Sequence, residues 1–222
     1  MFVLHRLISL VIGYCFGLIQ TAYIIGRLHH VDIRQYGSGN SGTTNALRTL
    51  GKTAGLITFF VDGFKAVFAV LVVRLIFKDS ADIYALALYA GFGTVIGHNF
   101  PFYMNFKGGK GIAASAGVIM AMLDWKLLVI SMIIFITVVA LTRYVSLGSL
   151  CVMTGFLIMS VIFGELNIMS EASKFNYDNR FEAYAVVLAM TVLAFVRHKE
   201  NIKRLLSGTE RKLGEKKEEI NE

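Results

Sequence analysis

Two glycine-rich stretches of this sequence each carry cations, and that combination is suited to binding phosphate. The first, GSGNSGTTNALRTLGK, contains Arg48, and the second, NFKGGKG, contains Lys110. Glycine lets backbone N–H groups come close to a ligand, and a helix N-terminus beside such a loop favours an anion. Arginine can hold phosphate through two parallel hydrogen bonds, whereas lysine supplies a point charge. The sequence therefore indicates a site for phosphorylated ligands.

Each stretch also has a simpler explanation. GGKG is followed by Ile112 rather than by Ser or Thr, so it is not a nucleotide-binding phosphate loop, and it could be a tight turn beside a snorkelling lysine. In the first stretch, Ser41, Thr44 and Arg48 are spaced for one helical face, which a capped helix at the membrane edge would also explain. Two such stretches on one side of a membrane favour a shared anion site.

Further polar residues stand out against apolar surroundings. His198 and Asn201 are three residues apart and could contact one ligand, or could simply interact with the carbonyls that end a helix. His98 could carry a proton or could be bonded to backbone. Asp62 and Lys65 lie inside an apolar segment, where charges are costly, so we expect them to pair with each other behind the site. No HxxxH, HExxH or CxxC occurs, and we expect no metal or other cofactor.

The elements that must position these residues are apolar. The chain has 222 residues, 55% of them hydrophobic, and a mean hydropathy of +0.62. Seven apolar segments lie at about 4–26, 54–76, 82–99, 111–124, 126–142, 146–164 and 180–197. The fourth is short and could be a re-entrant helix. Repeated runs of this kind predict an all-α integral membrane protein with about seven transmembrane helices.

The distribution of charge predicts the orientation of the chain. Of the 22 Lys and Arg residues, fifteen fall on the side of the two glycine-rich stretches, six fall on the other side, and Lys65 lies within a span. The positive-inside rule therefore places the N-terminus outside and the C-terminus in the cytoplasm. The same bias explains the net charge of +7 without a nucleic-acid partner. We divide the chain into a membrane domain, 1–206, and a charged cytoplasmic tail, 207–222. The alternating charges of 197–222 predict a short surface helix that frays near its end.

Taken together, the motifs resemble those of the bacterial acyl-phosphate:glycerol-3-phosphate acyltransferases, the PlsY family of membrane enzymes. The resemblance covers nearly all of 1–212, with the motifs in the family's order: GSGNSGTTNALRTLGKTAG, VDGFKA, GHNFPFYMNFKGGKGIA, RYVSLGS and RHKENIKRLLSGTERKLG. Two positions depart from the pattern, because Ser41 stands where the family commonly has Pro or another apolar residue and Thr43 where it has Ala. The outer loop, 165–180, is also longer than usual.

The resemblance implies transfer of a fatty acyl group from acyl phosphate to the sn-1 hydroxyl of glycerol 3-phosphate. The products would be lysophosphatidate and phosphate, in the first step of bacterial phospholipid synthesis. The implied catalytic residues are Ser38, Arg48, Lys110, His198 and Asn201. The implied substrate- and phosphate-binding residues are Gly39, Asn40, Thr44, Asn45, Gly108, Gly109, Gly111 and Ser146, with Ser149 as a further candidate. The enzyme would span the bacterial inner membrane, contact membrane lipid, work on its cytoplasmic side and need no cofactor, with a monomer as the simplest assembly.

Two questions stay open at the level of sequence. The first is mechanistic: the acyl group could pass directly to the hydroxyl, whose proton a substrate phosphate oxygen takes, or Ser38 could act as a nucleophile with a histidine base. The second is functional: a transporter for a phosphorylated metabolite would also use glycines and cations. Transporters usually place the site near the membrane midplane on repeated, broken helices, and no internal repeat is visible in this sequence.

Overall fold

A computed structural model describes residues 2–214 and shows ten α-helices, three short 3-10 turns and no strand within that range. The helices are α1 (Phe2–Gly17), α2 (Thr21–Leu28), α3 (Thr43–Thr49), α4 (Lys52–Ile76), α5 (Ile83–Asn99), α6 (Ile112–Ala121), α7 (Trp125–Thr142), α8 (Val145–Glu165), α9 (Arg180–Arg197) and α10 (Lys199–Leu206). The 3-10 turns are Ile33–Gln35, Phe102–Met104 and Glu171–Ser173. Every predicted apolar segment is helical, so the all-α prediction is confirmed.

The number of crossing helices is not established by helix length. Four stretches are long and apolar enough to cross a bilayer, namely Phe2–Leu28, Lys52–Ile76, Trp125–Thr142 and Val145–Glu165. α9 and α10 qualify only as a pair, and that pair is bent by 61°. α6 has ten residues, so it is about 15 Å long, half of a hydrocarbon core of about 30 Å. Length and composition therefore support four or five spans rather than the predicted seven.

α5 is the central helix of the bundle. Its sequence is apolar on all sides, and most of its residues are buried, as expected for a helix surrounded by others. α1 approaches it closely through two small-xxx-small patterns, Gly13 with Gly17 on α1 and Gly93 with Gly97 on α5. A Cβ atom added at Gly13 would lie only 1.9 Å from the carbonyl oxygen of Ala90. Only glycine permits this backbone contact, which stabilises helix pairs inside membranes.

α6 runs alongside α4 in the same direction. A Cβ at Gly117 of α6 would lie 2.0 Å from the carbonyl oxygen of Gly63 of α4. Near its end, the carbonyl of Met122 accepts a hydrogen bond from Arg74, at 3.3 Å, and Arg74 also donates to the carbonyl of Ser173, at 3.2 Å. The end of α6 therefore lies beside the end of α4, although the helix itself is short.

A polar layer joins the helix ends at one face of the bundle. Arg6 of α1 bonds to Glu182 of α9 at 2.7 Å and to Asp82, just before α5, at 2.8 Å. Asp124 caps the start of α7 and accepts a further hydrogen bond, at 2.6 Å, from the backbone N–H of Ser170. The starts of α1, α5, α7 and α9 therefore share one end of the molecule, opposite the glycine-rich stretches.

The chain after α10 differs from the predicted tail. The surface helix is present as α10, but residues 207–214 then turn back onto the start of α8. The guanidinium of Arg143 donates to the carbonyl of Leu213 at 2.7 Å, and the side chain of Glu210 is buried. At least the first part of 207–222 therefore packs on the membrane domain, whereas 215–222 lie outside the described residues.

Candidate active site

A cavity of about 470 Å³ lies at the end of the bundle where the predicted polar stretches meet. All the residues predicted to be catalytic line it: Ser38, Arg48, Lys110, His198 and Asn201. So do Asn40, Thr44, Asn45, Gly111, Ser146 and Ser149 from the predicted binding set. Gly39, Gly108 and Gly109 do not belong to its lining. The fold thus brings four separate parts of the sequence to one place, while the roles of the individual residues stay predictions.

Asn45 shapes the first wall of the cavity by holding the glycine-rich loop. Its side-chain Nδ2 donates to the carbonyls of Ile33 and Tyr36, both at 3.1 Å, and its Oδ1 accepts the backbone N–H of Ser38 at 2.9 Å. Gly37 has a left-handed φ of 61°, and a Cβ there would lie 2.3 Å from Asn45 Oδ1. The buried Asn45 therefore presents Ser38 to the cavity instead of offering its own amide to a ligand.

The GGKG loop forms the second wall, and its first two glycines are used to fix the loop. The N–H groups of Gly108 and Gly109 donate to the carbonyls of Asn99 and His98, at 3.1 and 3.0 Å. Their own carbonyls accept hydrogen bonds from Arg197, at 3.0 and 2.9 Å. These two amides are therefore not bare donors for phosphate, contrary to the expectation from sequence. They position the loop because backbone groups buried here need partners.

Lys110 begins a hydrogen-bond network that crosses the cavity. Its Nζ donates to Asn201 Oδ1, and Asn201 Nδ2 donates in turn to Glu210 Oε1 at 2.7 Å. The same carboxylate accepts from Ser146 Oγ at 2.9 Å and from Arg204 Nε at 2.8 Å. Two predicted residues, Ser146 and Asn201, therefore bond to a carboxylate that was not predicted, and Lys110 is linked to it through Asn201.

The charges of this network suit an anionic ligand. Burial lowers the pKa of Lys110 to about 8, although the nearby Glu210 opposes the shift. Burial raises the pKa of Glu210, but hydrogen bonds from Asn201, Arg204 and Ser146 outweigh it and hold that pKa below its usual value. Glu210 is therefore ionised at neutral pH, and the cavity already stabilises one negative charge.

His198 presents one ring nitrogen for further bonding. Its Nδ1 lies 2.7 Å from the carbonyl oxygen of Ala194, one turn earlier in α9. A carbonyl only accepts hydrogen bonds, so the neutral ring carries its proton on Nδ1 and leaves Nε2 as an acceptor. His198 can therefore accept a hydrogen bond from a hydroxyl group in the cavity.

An apolar groove of about 240 Å³ adjoins the polar cavity. The two share Phe59, Ile112 and Phe135, and the groove continues between α6, α7 and α8. Its outer wall includes Met132 and Ile136, which are 53% and 59% exposed on the side of the bundle. A ligand with a charged head and a long apolar tail would fit this arrangement, because each end meets a matching environment.

Asp62 and Lys65 form the predicted ion pair, at 2.8 Å. The pair does not lie wholly behind the site, however, because Asp62 and His98 both line the cavity.

Sequence reasoning missed the charged cavity residues Arg204, Glu210 and Arg211, and also Arg197, which holds the GGKG loop. All lie in the stretch RHKENIKRLLSGTERKLG, in which His198 and Asn201 alone were selected. The spacing of Arg204 and Glu210 matches no regular helical face, since the chain turns after α10. A buried role for Glu210 could have been suspected only from its position among cations.

Comparison with known proteins identifies close relatives over nearly the whole chain. The family model for glycerol-3-phosphate acyltransferase matches residues 7–208. The glycerol-3-phosphate acyltransferase of Thermoanaerobacter sp. (strain X514) is 39% identical over 216 residues, covering 97% of this chain and 99% of the relative. That of Clostridioides difficile (strain 630) is 40% identical over 221 residues, covering 96% and 97%.

Two crystal structures are also similar to this chain. Both are of PlsY (YgiH), an integral membrane glycerol 3-phosphate acyltransferase, one in its glycerol 3-phosphate form and one in its lysophosphatidic acid form. They share 30% sequence identity with this chain and cover 94% of it, with TM-scores of 0.79 and 0.78. The matches span 96% and 95% of the PlsY chains, so the similarity extends over the whole fold.

Proposed function

Because this chain belongs to the glycerol-3-phosphate acyltransferase family, we propose that it transfers a fatty acyl group from acyl phosphate to the sn-1 hydroxyl of glycerol 3-phosphate. The chain is an acyltransferase of phospholipid synthesis, and its products are lysophosphatidate and inorganic phosphate. The observation that carries the proposal is the union of a cation-lined cavity with an apolar groove. One site can thereby hold a phosphate group and an acyl chain together.

The walls of the cavity suggest how the substrates lie. Phosphate groups face Arg48, Lys110 and Arg204, which supply the positive charge. The acyl chain passes Phe59 and Phe135 into the groove, which leads toward the lipid-facing side of the bundle. The reacting carbonyl then sits near the junction of the two compartments, which is where the acceptor hydroxyl must reach it.

The arrangement supports direct transfer. The sn-1 oxygen attacks the acyl carbonyl carbon, the bond from that carbon to the phosphate oxygen breaks, and phosphate leaves. A phosphate oxygen of a substrate takes the hydroxyl proton, while Arg48 and Lys110 stabilise the developing negative charge. His198 and Asn201 complete the pocket. Acyl phosphate already carries a good leaving group, so no protein acid is required. Recovery of a labelled acyl chain on Ser38 after quenching would instead support a covalent mechanism.

We extend the proposal to seven crossing segments, with the N-terminus outside and the C-terminus in the cytoplasm of a bacterium's inner membrane. α6 supports this topology, because it starts beside the cavity and ends beside Arg74 at the opposite face. The polar layer around Arg6 and the cavity therefore lie at opposite ends of the bundle. We propose a monomer as the working unit, and the mass of the purified protein in detergent would test this.

Thiol labelling tests this topology. In a chain carrying Cys15→Ser and Cys151→Ser, single cysteines at the exposed positions Lys107 and Lys174 should label from opposite sides of sealed vesicles. Labelling of both positions from one side would contradict the seven-span topology.

The central test of function uses purified protein and palmitoyl phosphate. We expect phosphate to be released only when glycerol 3-phosphate is present, together with lysophosphatidate. Lys110→Ala should lose most of this activity. The matched control is Lys107→Ala, because Lys107 is exposed and does not belong to the cavity lining. Uptake of a phosphorylated metabolite into vesicles without product formation would favour a transporter. Neither the relatives nor the position of the cavity at one end of the bundle supports that alternative.

A further inference from the structure

One oxygen of a buried carboxylate beside the cavity has no hydrogen-bond donor. Asp62 is 1% exposed and lines the cavity. Its Oδ1 accepts hydrogen bonds from Thr21 Oγ1 at 3.0 Å and from Lys65 Nζ at 2.8 Å. Its Oδ2 is buried and has no partner anywhere in residues 2–214. A buried carboxylate oxygen normally has a donor, so we expect a group with an O–H or N–H to meet Oδ2 when the site is occupied.

The neighbouring lysine cannot supply that donor. Lys65 Nζ donates to Asp62 Oδ1 and to the carbonyl of Ile19, and it lies 2.8 Å from His98 Nδ1. An ammonium group has three N–H bonds, and these three contacts use all of them. His98 Nδ1 accepts the third, so the imidazole proton lies on Nε2, and the ring is itself 3.8 Å from Asp62 Oδ1. Lys65 and Thr21 therefore fix the carboxylate through Oδ1, and Oδ2 is left without a hydrogen-bond donor.

The location of Asp62 matches the place where the acceptor must react. Asp62 lies three residues after Phe59 on α4, which is on the same face of the helix, and Phe59 lines both the polar cavity and the apolar groove. Asp62 is therefore near the junction of the two compartments. Its charge is balanced by Lys65, so it does not add an unpaired negative charge against a phosphorylated substrate.

The chemistry of the two substrates selects the partner. This step rests on the proposed function. Fully ionised acyl phosphate has no hydrogen-bond donor in its head group or its chain, whereas glycerol 3-phosphate has two hydroxyl groups. We propose that Asp62 Oδ2 accepts a hydrogen bond from a hydroxyl of glycerol 3-phosphate and so orients the acceptor, while Lys65, Thr21 and His98 position the carboxylate.

The first test compares Asp62→Asn with wild type. Asparagine keeps the size of the side chain and an acceptor for Lys65 but replaces the charged oxygen. We expect kcat/KM for glycerol 3-phosphate to fall about 10- to 100-fold, as for loss of a hydrogen bond to a charged group, with the KM for acyl phosphate unchanged. The matched control is Asp79→Asn, the same exchange at an exposed carboxylate outside the cavity lining, which should leave the kinetics of donor and acceptor unchanged.

Acceptor analogues distinguish the two hydroxyls. 3-Hydroxypropyl phosphate lacks the sn-2 hydroxyl of glycerol 3-phosphate. If Oδ2 binds the sn-2 hydroxyl, wild type should prefer glycerol 3-phosphate and Asp62→Asn should lose that preference. If it binds the sn-1 hydroxyl, both acceptors should lose activity equally in the variant. The proposal is overturned if folded Asp62→Asn keeps wild-type kcat/KM, or if the KM values of donor and acceptor rise by the same factor.

A measurement on the unmodified enzyme covers the case in which Asp62→Asn does not fold. Propyl phosphate has the same phosphate but no hydroxyl, so it should bind at least about tenfold more weakly than glycerol 3-phosphate. 3-Hydroxypropyl phosphate should bind like glycerol 3-phosphate if the sn-1 hydroxyl is recognised, and like propyl phosphate if the sn-2 hydroxyl is recognised. Equal binding of all three would show that no hydroxyl is recognised and would overturn the role of Asp62. Wild type that forms no lysophosphatidate would defeat the proposed function instead, so the two failures are distinguishable.

Discussion

Glu210 Oε1 lies 2.7 Å from Asn201 Nδ2, inside a cavity built to receive anions. This contact determines which way the amide of Asn201 faces. Because Nδ2 points to the carboxylate, Oδ1 points to Lys110 and accepts from its ammonium group. A residue beyond the last helix therefore sets the environment of a lysine located a hundred residues earlier in the chain.

Glu210→Gln should lower catalytic activity while changing thermal stability little. Glutamine can still accept from Ser146 or Asn201, but it cannot form the ion pair with Arg204, so the network loses its charged centre. We expect kcat/KM to fall about tenfold or more, from the loss of a charge-assisted hydrogen bond. Steady-state kinetics with both substrates would measure the effect. Glu200→Gln is the matched control, since Glu200 lies exposed on α10. Equal losses of activity in the two variants would contradict a role for the Glu210 network.

The pH dependence of substrate binding should reflect the protonation of Lys110. Burial lowers the pKa of this lysine to about 8, so its charge is present below that pH and is lost as the pH rises through it. We expect the KM for phosphorylated substrates to increase above about pH 8. Lys110→Arg should flatten this limb, because arginine keeps its proton, even if the absolute rate falls. Lys107→Arg, the control, should keep the increase in KM above about pH 8. An unchanged pH profile in Lys110→Arg would show that a group other than Lys110 causes the increase.

Gly109→Ala should inactivate the enzyme by displacing the GGKG loop. A Cβ at this position would lie 2.0 Å from His98 Nε2, and His98 is held in turn by Lys65. Since neither partner is free to move, we expect loss of most activity together with a lower thermal stability in detergent. Gly63→Ala serves as the control, because a Cβ there meets only the carbonyl of Ala113 at 3.5 Å. Wild-type behaviour of Gly109→Ala would show that the loop is not rigid.

Ala116→Leu should change the preference for acyl chain length. Ala116 lines the apolar groove, and a larger side chain there reduces its volume. We expect the KM for palmitoyl phosphate to rise more than the KM for octanoyl phosphate, since only the longer chain must reach past this position. The control is Met120→Leu, on the same helix but outside the groove. A parallel change for both chain lengths would place the acyl chain elsewhere.

Much of the fold was predictable from sequence because apolar runs in a membrane leave the backbone few alternatives to helix. The apolar segments all became helices, and the Asp62–Lys65 pair formed as expected for charges within such a segment. The number of membrane-crossing helices was harder to predict from sequence. α6 is too short to be recognised by length, and its direction follows from its contacts with α4.

The sequence by itself determined that this is a helical membrane protein with glycine-rich, cationic stretches, because composition and spacing act locally along the chain. Only the tertiary structure decided how those stretches are used. Gly108 and Gly109 bind backbone and Arg197 rather than offering free amides, and Glu210 enters the cavity from beyond α10. Arg197 lies 89 and 88 residues from the glycines that it contacts, so this pairing depends on how the helices pack. Glu210 meets Asn201 because the chain turns back after α10, and spacing along the sequence does not reveal that turn.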